Sequence, residues 1–137
     1  MQKEFELALN QLDVLTKYLK EVIDEDCIVI LRGDLASGKT TLVKNYVKAL
    51  GLPDLVTSPT FSLQAIYSDN IFHYDVYNKT FGEFISLGML EEFEKQGVHF
   101  VEWGDEKLEE ILNDYGYKVI LIEIEKKDNK RLYKINA

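Results

Sequence analysis

Cysteine, proline and arginine are scarce in this chain, and each scarcity removes a class of explanation. The one cysteine, Cys27, supports neither an internal disulfide nor a cysteine-ligated metal site. It sits in an apolar run and reads as a small buried hydrophobe. The two prolines are Pro53 and Pro59, and no stretch is rich in Gly or Ser. Without a linker or an internal repeat, residues 1–137 are expected to form one domain, long enough to bury a core. The two arginines, Arg32 and Arg131, lie in no lid-like stretch, which weakens a small-molecule kinase. Positive charge is also short. Lys and Arg total 16 against 24 Asp and Glu, a net charge of −8, which argues against a large nucleic-acid-binding face. No apolar run reaches membrane-spanning length, and Met1–Glu6 carries no apolar signal core, so a cytoplasmic chain without membrane contact is expected.

What is present is organised around Gly33-Asp34-Leu35-Ala36-Ser37-Gly38-Lys39-Thr40, followed by Thr41. This fits G-x-x-x-x-G-K-[ST], a loop whose backbone N–H groups wrap the phosphates of a nucleoside triphosphate. The context supports the match. Cys27-Ile28-Val29-Ile30-Leu31 before it is unbroken and apolar, as in a strand buried on both faces. After it, Leu42, Val43, Tyr46, Val47 and Leu50 mark a helical stripe that Gly51 would cap. The glycines let the backbone turn inward, and the helix N-terminus adds about half a positive charge aimed at the phosphates. Lys39 would reach the β- and γ-phosphates, and the Thr40 hydroxyl would sit on Mg²⁺.

The remaining pattern alternates helices and strands. Residues 4–8 suggest a short edge strand, and Leu12, Leu15, Leu19, Val22 and Ile23 a helix with Asn10 as N-cap. Residues 61–67 and 71–77 read as an antiparallel pair, 81–94 as one or two short helices broken at Gly88, and Val98–Val101 as a further strand. A helix over 105–114 precedes two late, paired strands. The expected fold is α/β: a single-domain phosphate-loop NTPase with a mixed, mostly parallel central sheet flanked by helices.

Hydrolysis needs an acid near Mg²⁺, and two strand-end acids are candidates: Asp75 in His73-Tyr74-Asp75-Val76-Tyr77 and Glu102 in Phe100-Val101-Glu102-Trp103. Either alone also fits an ion-paired strand end; Trp103 alone fits a core, and His73 alone a half-buried sheet residue. Asn78-Lys79-Thr80-Phe81 lacks the carboxylate of a guanine-binding motif, which leaves adenine as the default base.

Taken together, the loop, Thr57-Ser58-Pro59-Thr60-Phe61, His73-Tyr74-Asp75-Val76-Tyr77 and Val101-Glu102-Trp103 resemble the bacterial TsaE (YjeE) family in order and spacing. The resemblance implies a small ATPase needed for N6-threonylcarbamoyladenosine at position 37 of tRNA. It would bind the TsaD–TsaB transferase heterodimer, touch tRNA only through that complex, be monomeric when alone, and use ATP to permit repeated turnover. It also implies phosphate contacts from Ala36 through Thr41, Mg²⁺ on Thr40 and Glu102, and Asp75 beside the metal. Lys39, Asp75 and Glu102 would then carry the chemistry. Ser58-Pro59-Thr60 would sense the γ-phosphate, Trp103 would lie next to the site, and Asn10 or Gln11, Asp105 and Arg131 would contact the nucleotide. Two departures stand out: Ala36 where the family usually has glycine, and Asn78 where it commonly has arginine. The alternatives are a small-molecule kinase and a module that binds ATP as an assembly switch without hydrolysing it.

Overall fold

A computed structural model describes residues 2–23, 26–34, 37–59, 63–68, 70–77 and 79–137. Seven strands form one sheet: β1 (Gln2–Leu7), β2 (Cys27–Arg32), β3 (Gln64–Tyr67), β4 (Ile71–Asp75), β5 (Val98–Glu102), β6 (Val119–Lys127) and β7 (Lys130–Asn136). Their spatial order is β1-β7-β6-β2-β5-β4-β3. The four central strands, β6 to β4, pair in parallel, and the three outer pairings are antiparallel.

The helices are α1 (Leu12–Val22), α2 (Lys39–Ala49), α3 (Phe81–Ser86), α4 (Met89–Glu92) and α5 (Glu106–Asp114). Alternation along β2 explains why both faces need helices. Val29 and Leu31 join a core with Leu15 and Leu19 of α1 and Leu42, Val43 and Val47 of α2. Ile28 and Ile30 project into the second core, with Phe84, Met89, Phe93, Leu108 and Leu112 from the region of α3, α4 and α5. Each such side chain contributes about 1.5–3 kcal/mol on burial. No helix among the described residues is long and apolar enough to cross a membrane.

Several boundaries move from the expected ones. Asn10 does not cap α1: Leu9–Gln11 form a 3-10 turn, and the Gln11 side chain accepts from the Ala8 N–H at 2.9 Å. The helix proper starts after Gln11, which stands at its N-cap position without a side-chain cap bond and turns its amide back to the Ala8 N–H instead. β4 stops at Asp75, whose Oδ1 accepts from the Tyr77 N–H at 3.0 Å and bends the chain out of the sheet. Of the other expected strand, Phe61 and Ser62 lie outside the described residues, as does Asn78. Gly88 does break the 81–94 stretch, at φ 74°. Across the carboxyl ends of the parallel strands, Leu31, Glu102 and Asp75 fall in one register row, directly below the point where β2 gives way to the glycine loop.

Candidate functional site

The loop after β2 is closed by its own side chains. A Cβ on Gly33 would meet Ser37 Oγ at 2.5 Å and the Ile124 carbonyl at 2.8 Å, so only glycine fits there. Gly38 turns the chain into α2 at φ 108°, a conformation that favours glycine. The Ser37 N–H donates to the Asp34 carbonyl at 3.0 Å, and α2 begins at Lys39, leaving its first amides without partners inside the helix. Leu35 and Ala36, the middle of the motif, lie outside the described residues.

Lys39 is 5% exposed and turned back onto the loop. Its Nζ donates to the carbonyls of Gly33 (2.7 Å) and Asp34 (3.0 Å) and to Ser37 Oγ (3.4 Å). The Trp103 ring lies 3.9 Å from the ammonium, a cation–π contact. Burial holds this lysine below the ordinary lysine range, against the opposing pull of Glu102, Asp75 and Asp34. Trp103 itself has a left-handed backbone, φ 71°, rare for a bulky residue; its N–H donates to the Leu31 carbonyl at 3.0 Å and its ring packs on Tyr77.

Thr40 Oγ1 donates to Glu102 Oε2 at 2.7 Å, joining the first turn of α2 to the end of β5. The same oxygen lies 2.6 Å from His73 Nε2. Asp75, next in the register row, accepts from Ser58 Oγ at 3.2 Å. Lys39, Thr40, Asp75 and Glu102, far apart in sequence, therefore converge, and Trp103 joins them. His73 is completely buried rather than half-buried, and it is bonded to an acid of the site. Its place two residues before Asp75 puts both on one face of β4, a signal the alternation carries. Thr60 lies outside the described residues.

Arg131, on β7, donates Nε to the Ser37 carbonyl at 3.1 Å and so does reach the loop. It lines a cleft of about 450 Å³ with Leu7, Leu9, Thr41, Asn129 and Tyr133. Leu7, Leu9, Asn129 and Tyr133 carried no signal in the sequence, because strands from opposite ends of the chain bring them together. Asn10 is exposed and is not among the residues lining this cleft, though its neighbour Leu9 is. Asp105 caps α5, accepting from the Leu108 N–H at 2.9 Å, and lies beside Trp103 in a smaller cavity. Arg32 pairs with Glu109 at 2.8 Å and donates to the Gly104 carbonyl.

Comparison with known proteins gives a consistent result. The family model described as "Threonylcarbamoyl adenosine biosynthesis protein TsaE" matches residues 8–133. A tRNA threonylcarbamoyladenosine biosynthesis protein TsaE from Treponema pallidum is 37% identical over 93 residues, covering 66% of this chain and 69% of that one. The protein of the same name from Streptomyces coelicolor is 31% identical over 110 residues, covering 73% and 72%. That from Bacillus subtilis is 42% identical over 79 residues, but the match spans 56% of this chain and 49% of the relative. A crystal structure of YdiB from Bacillus subtilis superposes with a TM-score of 0.72 at 25% identity, covering 100% of this chain and 86% of the other.

Proposed function

The chain belongs to the TsaE family, a family of tRNA threonylcarbamoyladenosine biosynthesis, and from that premise we propose that it is a phosphate-loop ATPase serving the formation of N6-threonylcarbamoyladenosine at position 37 of tRNA. It would do so bound to the TsaD–TsaB transferase, with its ATP cycle permitting repeated turnover.

The observation that carries the reading is the 2.7 Å hydrogen bond from Thr40 Oγ1 to Glu102 Oε2. It sets the hydroxyl that follows the phosphate-loop lysine against a strand-end acid, with Asp75 beside it in register. One hydroxyl and two carboxylates are hard oxygen donors, and few. That suits Mg²⁺, which keeps several waters and nucleotide oxygens instead of an all-protein cage. Thr40 and Glu102 would hold the ion, with Asp75 alongside. When bound, Mg²⁺ neutralises charge on the β- and γ-phosphates.

The chain's own residues do the rest. Lys39 exchanges the Gly33 and Asp34 carbonyls for phosphate oxygens, while the unpartnered amides of α2 point at the same anion. The Trp103 ring, already over the lysine, keeps water from its charge. Glu102 and Asp75 orient the attacking water. The cleft beside Arg131, with apolar walls from Leu7, Leu9 and Tyr133, suits a flat base such as adenine.

Both arginines already hold protein groups: Arg32 holds Glu109 and the Gly104 carbonyl, and Arg131 the Lys130 carbonyl and, in the loop itself, the Ser37 carbonyl. Neither is poised as an arginine finger, so hydrolysis alone is slow and a partner completes the site. The net charge of −8 favours reaching tRNA through the partner complex.

The test is ATP hydrolysis with and without purified TsaD–TsaB, using Lys39→Ala and Glu102→Ala as controls. Stimulation that both substitutions abolish supports the site and the pathway together. Unstimulated hydrolysis removes the partner assignment. ATP-dependent binding to the pair without hydrolysis favours the assembly switch, and a phosphorylated acceptor favours a kinase.

A further inference from the structure

Glu102 is braced by two polar side chains that the ATPase reading leaves without a task. His73 on β4 and Tyr67 on β3 are 0% and 4% exposed. His73 Nε2 lies 2.6 Å from Glu102 Oε2, and His73 Nδ1 lies 2.9 Å from the Tyr67 hydroxyl oxygen.

Counting hydrogens orders this chain. A carboxylate only accepts, so the proton on the short contact belongs to Nε2. Nδ1 of that tautomer offers a lone pair, which the single Tyr67 O–H fills. The Thr57 carbonyl, 3.4 Å from the same hydroxyl, is the weaker acceptor.

The same stitch occurs a second time in the sheet. Tyr74 Oη lies 2.7 Å from His99 Nδ1, and His99 Nε2 lies 2.8 Å from the Lys95 carbonyl. A backbone carbonyl only accepts, so His99 is an Nε2–H donor with the Tyr74 O–H on Nδ1. There the Tyr–His pair secures a backbone turn. At His73 it secures an acid of the site.

We propose that Tyr67 and His73 are positioning residues for Glu102: Tyr67 fixes His73 as the Nε2–H donor, and that N–H fixes the carboxylate beside Thr40. The proposal rests on the phosphate-loop reading of the site. Its physical content is that Glu102 need not be ordered when a metal ion arrives. Removing such a partner typically lowers metal affinity about 10–100-fold.

The test compares the full-length chain with its Tyr67→Phe, His73→Leu and His73→Gln variants, each checked for folding by thermal melt. Imidazole ¹⁵N shifts, read without nucleotide or metal, report the tautomer, and His99 serves as the internal reference. Mn²⁺ affinity is read by electron paramagnetic resonance with a non-hydrolysable ATP analogue, and analogue affinity is read again in chelator. In the wild type both histidines read as Nε2–H. Tyr67→Phe alters the His73 signal alone and weakens Mn²⁺ binding about threefold to tenfold, whereas His73→Leu weakens it about 10–100-fold. His73→Gln, whose amide N–H replaces the lost donor, recovers most of that loss. Analogue affinity in chelator stays unchanged throughout.

A wild-type His73 protonated on Nδ1 or on both nitrogens overturns the assignment. So does unchanged Mn²⁺ affinity in Tyr67→Phe, the variant that loses only one oxygen and stays informative if His73→Leu does not fold. A wild type that binds no analogue either with Mn²⁺ or in chelator overturns the phosphate-loop reading itself, so the two failures are distinguishable.

Discussion

Gly33→Ala isolates what the loop demands of its first residue. The added Cβ would lie 2.5 Å from Ser37 Oγ and 2.8 Å from the Ile124 carbonyl oxygen. The serine hydroxyl can rotate away. The carbonyl cannot, because it belongs to β6, which is paired with β2 on one side and β7 on the other. The loop must therefore shift by several tenths of an ångström, an overpacking cost of about 1–3 kcal/mol. That shift would also move the amides and Lys39 off the proposed phosphate position, weakening charge-assisted hydrogen bonds worth about 1.5–3 kcal/mol each. Nucleotide affinity, measured by calorimetry, should fall about 10–100-fold. Gly116→Ala is the control. It lies after α5 at φ 85° with open space around its Cβ, so it costs about 1–2 kcal/mol of backbone strain and leaves nucleotide binding alone. Adding Ser37→Ala to Gly33→Ala should recover little, because the carbonyl contact remains. Normal nucleotide affinity in a folded Gly33→Ala protein would refute the loop geometry.

Three further outcomes follow from named contacts. Trp103 is the chain's one tryptophan and its ring lies 3.9 Å from Lys39 Nζ, so nucleotide that draws the lysine away should change its emission, and Lys39→Ala should abolish the change. Arg131→Ala removes the bond to the Ser37 carbonyl and one wall of the cleft; nucleotide should bind about tenfold more weakly by calorimetry, with the melting temperature little changed. Burial pushes the Tyr46 hydroxyl up to about 12, above its ordinary 10.0. The unfolded chain therefore loses this proton first, and the associated stability, full below pH 10, is lost as the pH rises towards 12. The loss amounts to about 2–3 kcal/mol, and urea unfolding of Tyr46→Phe should show an alkaline decline smaller by that much.

The parts legible in sequence were those whose cause is local. A contiguous apolar run, two glycines and a helical stripe announce β2, the loop and α2, because each is built within about ten residues. Asp75 and Glu102 were legible as acids that end apolar strands, and register brings them side by side. Depth and partner were not legible. Alternation gives His73 a face of β4, but its complete burial and its bond to Glu102 depend on β5 lying next to β4. Asn10 is not the cap because cap preference is a property of residue type, whereas the 3-10 turn over Leu9–Gln11 moves the start of α1 past it. The left-handed backbone of Trp103 had no sequence signal, since nothing in a tryptophan favours it. The cleft beside Arg131 was invisible because its walls come from β1, β7 and the loop, and no local pattern brings them together.

The pairing of β1 with β7 has a consequence for timing. Gln2 lies opposite Asn136 and Leu7 opposite Arg131, so this edge of the sheet joins some of the first residues of the chain to some of the last. A nascent chain can complete β2, the glycine loop and α2 while the residues of β7 are still unsynthesised, and at that stage the cleft has no far wall. Pairing between such distant segments is also slow to find. Nucleotide bound there would act as a clasp on the finished sheet, engaging the loop and β7 together. By mass action, ligand at a hundred times its dissociation constant adds about 2.7 kcal/mol to the folded state. In a cell rich in ATP, that contribution would begin only once β7 had been made and seated.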